Sequence, residues 1–264
     1  MMDLLVPASV IGGLGIIFGL GLAFASKKFE VRVDERTARI REVLPGANCG
    51  GCGQTGCDAF AEGVAAGKCT VNGCPVGGAD VAEKVAAIMG MAVGNISKSV
   101  ARVSCNGSIN NCKSKFNYSG IEDCTAAASL YGGAPGCSYG CIGLGSCARI
   151  CDYGAIVVEE GVARVIQSKC TSCGKCVKAC PKKLISLISA ESEYTVRCRS
   201  FDKGNEVRKS CSVGCIGCGK CSKVCAQGAI KLEGNLAEIM YDRCKNCGEC
   251  IKVCPTGSIN RYFT

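Results

Sequence analysis

Four cysteines in the stretch Lys169–Pro181, namely Cys170, Cys173, Cys176 and Cys180, follow the spacing C-x₂-C-x₂-C-x₃-C-P. Three thiolates this close along a chain can each hold a different iron of one [4Fe-4S] cubane, while the fourth, beyond the turn, suits a neighbouring cubane. Pro181 fixes φ and removes an N–H, so the chain leaves the site there. The same run returns 74 positions later at Cys244, Cys247, Cys250, Cys254 and Pro255. The chemistry on offer is one-electron transfer.

The 264 residues include 26 cysteines and no His or Trp. Such a content means disulfides or metal. Disulfides require particular Cβ separations that crowded triplets do not offer. Zinc sites use two well-separated pairs rather than triplets followed by Cys-Pro, and a zinc or metal-storing scaffold stands as one rival reading. Absence of His excludes Rieske ligation, c-type haem attachment and Cys/His nucleophilic catalysis. No P-loop and no glycine fingerprint after a strand is present, so the chain shows neither a flavin or nicotinamide site nor a catalytic residue of its own. The formal net charge of +9 counts every thiol as neutral. An oxidised cubane with four thiolates carries about −2, so five bring the loaded chain near neutrality. The 31 Lys and Arg are therefore no argument for nucleic acid; they offset cluster charge and suit an acidic partner.

From about residue 124 the chain repeats without a gap. Cys124, Cys137, Cys141, Cys147, Cys151 and the first run return as Cys198, Cys211, Cys215, Cys221, Cys225 and the second run, and G-A-I-V-V-E is echoed by G-A-I-K-L-E. This is a duplicated unit. Short β-prone pieces, Ile156–Glu159 and Ala229–Glu233, predict hairpins beside the clusters. One difference is informative: Leu144 stands where the second copy has Cys218. Copy two supplies Cys215, Cys218, Cys221 and Cys254 for one cluster and Cys225, Cys244, Cys247 and Cys250 for the next. In copy one, Cys137 is expected to replace the missing ligand beside Cys141, Cys147 and Cys180, with Cys151, Cys170, Cys173 and Cys176 holding the other cluster. If Cys137 does not reach, a labile or three-iron cluster results.

The N-terminal half must position a further site. Leu4–Ala25 is apolar and uncharged, then Lys27 and Lys28 follow. That is long enough to span a bilayer, with the lysine end cytoplasmic, and Gly15-x₃-Gly19 offers a close-packing face. A cleaved signal peptide is the competing reading, through Ala23-Phe24-Ala25. Residues 27–44, with Val33, Ile40, Val43 and Leu44 apolar, read as a solvated stalk helix ended by Pro45-Gly46. Cys49, Cys52, Cys57 and the distant Cys74-Pro75 supply four thiolates for a fifth cubane, and Cys69 stands outside the set. Helices are expected over Asp58–Ala66 and over Asp80–Met89, the latter with Asp80 and Glu83 as a capping box. Cys105, Cys112 and Cys124 lie in a linker and, with Cys198 or Cys211, either hold a sixth cluster or are spare thiols.

The anchor, the segment L-P-G-A-N-C-G-G-C-G-Q-T-G-C ending at Cys74-Pro75, and the doubled runs together resemble the B subunits of Rnf-type complexes, membrane-bound ferredoxin:NAD⁺ oxidoreductases. The resemblance covers nearly the whole chain. It departs at Cys151-Asp152 and Cys225-Ala226, where a proline usually follows. It implies an electron-transfer subunit that takes electrons from soluble ferredoxin and relays them to other Rnf-type subunits. Those include a flavin-bearing subunit that reduces NAD⁺ and integral membrane subunits, and the complex couples the transfer to Na⁺ or H⁺ export. It also implies residence in the cytoplasmic membrane, single-pass, with the clusters on the cytoplasmic side. The nearer alternative is a polyferredoxin of another membrane oxidoreductase or hydrogenase; a membrane-tethered redox sensor is a further one, although no output domain is visible.

The expected fold is α+β: a single N-terminal transmembrane helix (1–28), a small helical 4Fe-4S domain (29–92), a cysteine-rich linker (93–136) and two tandem bacterial-type 2[4Fe-4S] ferredoxin-like modules (137–197 and 198–264).

Overall fold

The computed structural model describes residues 2–28, 34–94 and 98–262, with side chains from Gly12 onward. Helix α1 (Met2–Lys28) ends on Lys27 and Lys28. Its described large apolar side chains are exposed, Leu14 to 48% and Ile16, Ile17, Phe18, Leu20, Leu22 and Phe24 to 65–71%. Among the described residues, nothing beyond the adjoining turns of the helix itself comes within 4 Å of a Cβ built at Gly15 or Gly19. Among the described residues no helix is long and apolar enough to cross a membrane; the part of α1 with described side chains is shorter than the roughly 20 residues a span needs. Of the predicted stalk, residues 29–33, Val33 among them, lie outside the described residues.

Three small helices make the first core. Asp34 caps α2 (Glu35–Val43) by accepting from the Arg36 N–H, and Leu44, held extended before Pro45, ends it. α3 (Cys57–Ala65) and α4 (Gly78–Met89) pack against it. Ile40 is fully buried with Phe60, Val64 and Val85, a burial that stabilises by about 1.5–3 kcal/mol for such a side chain. The stalk reading of this segment is thus corrected: Ile40 belongs to a packed core. The capping box at Asp80 also does not form. α4 begins two residues earlier, behind Gly77 and with no side-chain cap, so Asp80 sits inside the first turn.

The rest is built from four two-stranded antiparallel sheets and short helices. β1 (Ser99–Val103) leads to α5 (Cys124–Ala128) and α6 (Ser146–Arg149). β2 (Ile156–Glu159) and β3 (Val162–Val165) form the expected hairpin, and Glu160 and Gly161 both take the positive φ that a type I′ turn demands. After α7 (Lys175–Ala179), β4 (Ile185–Ser189) pairs back onto β1. The second unit repeats the plan: β5 (Tyr194–Val196), α8 (Gly204–Ser210), α9 (Lys220–Val224), the β6 (Ile230–Glu233) and β7 (Leu236–Ile239) hairpin, α10 (Glu249–Lys252) and β8 (Ile259–Arg261) paired with β5.

The outer sheets reach across the expected boundaries. Val103 faces Ile185 and Val196 faces Ile259, so β1, from the stretch read as linker, is the outer strand of the first unit. Likewise β5, read as the end of module one, serves module two. Each outer pair is a two-stranded sheet of its own, marginal alone and supported by packing on its unit's core. Between Val103 and Cys124 lies an insertion that has no counterpart between Val196 and Cys198.

Arg102, on β1, ties the units together. It is buried, its Nη2 donates to Gln167 Oε1 (3.0 Å) and Ser192 O (3.3 Å), and its guanidinium lies 3.9 Å above the Tyr262 ring. The Tyr262 hydroxyl in turn accepts from the Val165 N–H.

Candidate iron–sulfur centres

Cysteines are gathered around cavities rather than around points. No group of three His, Cys, Asp or Glu converges on a single metal ion among the described residues, whereas a cubane spreads its four thiolates over four irons.

One cavity brings Cys151 together with Cys170, Cys173 and Cys176, and another brings Cys215 together with Cys218, Cys221 and Cys254. Each cavity gathers cysteines from two separate stretches of chain. Cys225, Cys244 and Cys250 pack on the second unit's core, with Cys244 and Cys247 both adjoining Cys250. In the N-terminal core Cys52, Cys57 and Cys74 meet, and Cys49 lies on the loop that turns into α3. That loop is shaped by left-handed Asn48, Gly50 and Gly53, and Asn48 Oδ1 accepts from the Cys57 N–H at 2.8 Å. Cys69 is half-buried and accepts from Gln54 Nε2.

Copy one differs from the expectation. The cavity with Cys141, Cys147 and Cys180 is lined by Cys124, and Cys137 lines a separate cavity with Cys105, Cys112, Cys198 and Cys211. Hydrogen bonds explain the placement of Cys124. Its N–H donates to Ser146 Oγ (2.8 Å), and that hydroxyl donates to Asp123 Oδ2 (2.8 Å). Arg149 reaches the Leu144 and Glu122 carbonyls, clamping 122–124 onto the loop 144–149. Cys137 instead sits in a tight turn closed by the Gly140 N–H, which donates to its carbonyl. A signal for this was present: Asp123 and Ser146 stand where the second copy has Arg197 and Lys220.

The sulfurs are set for anionic ligation. Backbone N–H groups donate to Cys49 (from Gly51), Cys74 (Gly77), Cys151 (Ala155), Cys170 (Ala101), Cys180 (Leu184) and Cys225 (Ala229) at 3.3–3.4 Å. Such donors stabilise thiolate and cluster sulfur alike. Burial pushes the Cys141, Cys147, Cys176 and Cys250 thiols up to about 11, with neighbouring cysteines adding to the rise. At neutral pH these thiols keep their protons until metal displaces them. At Cys254 burial also pushes upward, yet N–H groups of Ile259, Thr256 and Ser258 carry it below its ordinary value. The donor sets, all thiols with inward N–H groups, fit [4Fe-4S] clusters.

The sites adjoin one another. A Cβ on Gly51 would meet Pro75 Cγ at 2.9 Å and the Cys173 carbonyl at 3.0 Å, so the N-terminal loop lies directly on module one. Cys147 neighbours Cys176, and Cys221 neighbours Cys250, so each module carries its two sites side by side.

Comparison with known proteins agrees with these positions. Residues 44–76 match an Fe-S cluster family, and residues 140–184 and 214–258 each match a 4Fe-4S dicluster domain. The chain is 49% identical over 243 residues to the B subunit of the Na⁺-translocating ferredoxin:NAD⁺ oxidoreductase complex of Acetobacterium woodii, covering 92% of this chain and 73% of that one. It is 41% identical to the B subunit of the ion-translocating oxidoreductase complex of Methanosarcina acetivorans (89% and 90% covered). With the B subunit of the proton-translocating ferredoxin:NAD⁺ oxidoreductase complex of Clostridium ljungdahlii the identity is 43% (88% and 82% covered).

Proposed function

This chain belongs to the B subunits of ion-translocating ferredoxin:NAD⁺ oxidoreductase complexes, and from that membership we propose that it passes electrons from reduced ferredoxin along its row of sites to the other subunits. It is the electron-transfer subunit of a multi-subunit oxidoreductase complex and carries 4Fe-4S clusters. Bound cubanes supply one-electron carriers whose potentials respond to charge, hydrogen bonds and exposure.

The ligand sets we propose are Cys49, Cys52, Cys57 and Cys74; Cys151, Cys170, Cys173 and Cys176; Cys124, Cys141, Cys147 and Cys180; Cys215, Cys218, Cys221 and Cys254; and Cys225, Cys244, Cys247 and Cys250. The chain's own work is to hold these thiolates, aim N–H groups at them and keep adjacent sites in contact. The observation that carries the relay is the approach of Gly51 to the Cys173 carbonyl, which puts a ligand loop of one site against a ligand of the next. A flavin-bearing, NAD⁺-reducing subunit and integral membrane subunits complete the path.

The cytoplasmic membrane is the proposed location, with α1 as a single-pass anchor and the cluster domains on the cytoplasmic side. At 1.5 Å per residue, the 27 residues of α1 extend about 40 Å. Leu4–Ala25 bears no charge, the described apolar side chains of α1 are exposed, and Lys27 and Lys28 mark the cytoplasmic end.

The test is the Cys173→Ser variant assembled in the complex. Loss of one cluster with a severe drop in ferredoxin-dependent NAD⁺ reduction is expected; an unchanged rate would rule out an obligatory relay through that site.

A further inference from the structure

The two ferredoxin-like units make one contact with different residues. Val103 faces Ile185 in the first unit and Val196 faces Ile259 in the second, so Arg102 and Thr195, one step back on β1 and β5, hold equivalent places. Each bonds to the residue three positions before the first cysteine of its run, Gln167 and Tyr241 respectively, and these two are themselves 74 positions apart. The second unit closes the contact with neutral side chains, the Tyr241 hydroxyl donating to Thr195 Oγ1 at 3.2 Å. The fold therefore needs no charge at this place, yet the first unit buries one.

Arg102 is 2% exposed. Among the described residues no carboxylate pairs with it, and its Nε and Nη1 have no hydrogen-bond partner. An uncompensated guanidinium in the interior is costly, so a negative group nearby has to offset it. Burial draws its pKa down, while Tyr262, Tyr241 and the Cys170 thiol draw it up. The N–H of the preceding residue, Ala101, donates to Cys170 Sγ at 3.4 Å. A cubane with its four thiolates brings about −2 to that place.

The guanidinium is also locked in position from both modules. Its Nη2 donates to Ser192 O (3.3 Å), and Gln167 Nε2 donates to Ala190 O (3.3 Å). Asn246, between Cys244 and Cys247, grips the same turn by donating to Glu191 O (2.8 Å) and accepting from the Glu193 N–H (3.1 Å).

We propose that Arg102 is a positioning residue for electron transfer, a fixed buried charge that raises the reduction potential of the site of Cys151, Cys170, Cys173 and Cys176. Cluster potentials follow net charge and hydrogen bonds. One electron from the donor takes that site from about −2 to −3 with no bond made or broken, and the arginine keeps its proton throughout. The positive charge favours the reduced form, so this site holds its electron more firmly than it would beside a neutral pair like that of the second unit. The inference rests on the 4Fe-4S reading and on this ligand set, and adds a residue that sets the potential.

Redox titration of the anaerobic full-length protein, followed by EPR, tests it. The signal that Cys173→Ser removes identifies the site. In Arg102→Met its midpoint should move to lower potential by about a tenfold change in the ratio of reduced to oxidised form, about 59 mV for one electron. Arg102→Lys, which keeps the charge, should stay near wild type, and the signal that Cys247→Ser removes should move less. A merely structural Arg102 would lower stability in both variants and leave the midpoint in place. That result, or equal shifts in the Met and Lys variants, would overturn the proposal and leave the relay standing. Absence of any signal that Cys173→Ser removes would overturn the ligand set with it. If neither Arg102 variant assembles, Gln167→Glu decides, since it sets a carboxylate against the guanidinium without removing it: a lower midpoint is expected, and an unchanged one contradicts the proposal.

Discussion

The Cys124 N–H donates a 2.8 Å hydrogen bond to Ser146 Oγ, and the same hydroxyl donates to Asp123 Oδ2. This pair of bonds carries a cysteine from a distant segment onto the loop that lacks one at Leu144. With the proposed ligand sets, copy one of the repeat matches copy two in number of ligands without matching it in sequence.

The substitution can be reversed. Cys124→Ser should lower iron and sulfide by as much as four each per chain and weaken one reduced-cluster signal in EPR. Adding Leu144→Cys to that variant should restore both, because Leu144 occupies the position of Cys218. A Cys124→Ser protein with full iron and unaltered EPR would refute the assignment.

Gly51 is a site where size should matter more than chemistry. A Cβ there meets Pro75 Cγ at 2.9 Å and the Cys173 carbonyl at 3.0 Å, and overpacking of this kind costs about 1–3 kcal/mol. Gly51→Ala is expected to keep its iron yet slow electron exchange between the N-terminal cluster and module one. Freeze-quench EPR of the two clusters reads this directly.

The Arg102–Tyr262 stack should be a stability determinant. With its guanidinium 3.9 Å from the ring centroid and buried, Tyr262→Ala removes a desolvated cation–π contact worth about 2 kcal/mol. The denaturation midpoint of the anaerobic holo-protein should fall, while Tyr262→Phe, which keeps the ring, should lose less.

Removing residues 1–28 tests the anchor. The shortened chain should be released from membranes without detergent when the partner subunits are absent, with its iron content intact. A full-length chain that washes off just as readily would remove α1 as the anchor.

Much of the site is legible in the sequence because the repeat preserves spacing. The runs from Cys170 and Cys244, the hairpin at Ile156–Glu159 and the N-terminal set follow from local distances along the chain. The rest depends on contacts that local spacing does not report. β1 pairs with β4 across the insertion, so a stretch that reads as linker supplies the outer strand and the Ala101 N–H bonded to Cys170 Sγ. Cys137 lies nearest to Cys141 along the chain, which favours it as the missing ligand, but its cavity is the one shared with Cys112 and Cys211. The exchange of Arg197 and Lys220 for Asp123 and Ser146 between copies is the readable sign, since only the latter pair can hydrogen-bond as a cap and its acceptor. Ile40 escapes a sequence reading as core because Glu35, Arg36, Arg39, Arg41 and Glu42 make α2 mostly charged, and a helix this short can bury one residue deeply while its other faces stay wet.

The most direct test of the relay mixes anaerobic full-length protein with reduced ferredoxin and follows the clusters by freeze-quench EPR. Reduced 4Fe-4S signals should appear in wild type, and in Cys173→Ser the transfer past the altered site should be interrupted. Failure of reduced ferredoxin to reduce any cluster of the wild-type protein would contradict the account.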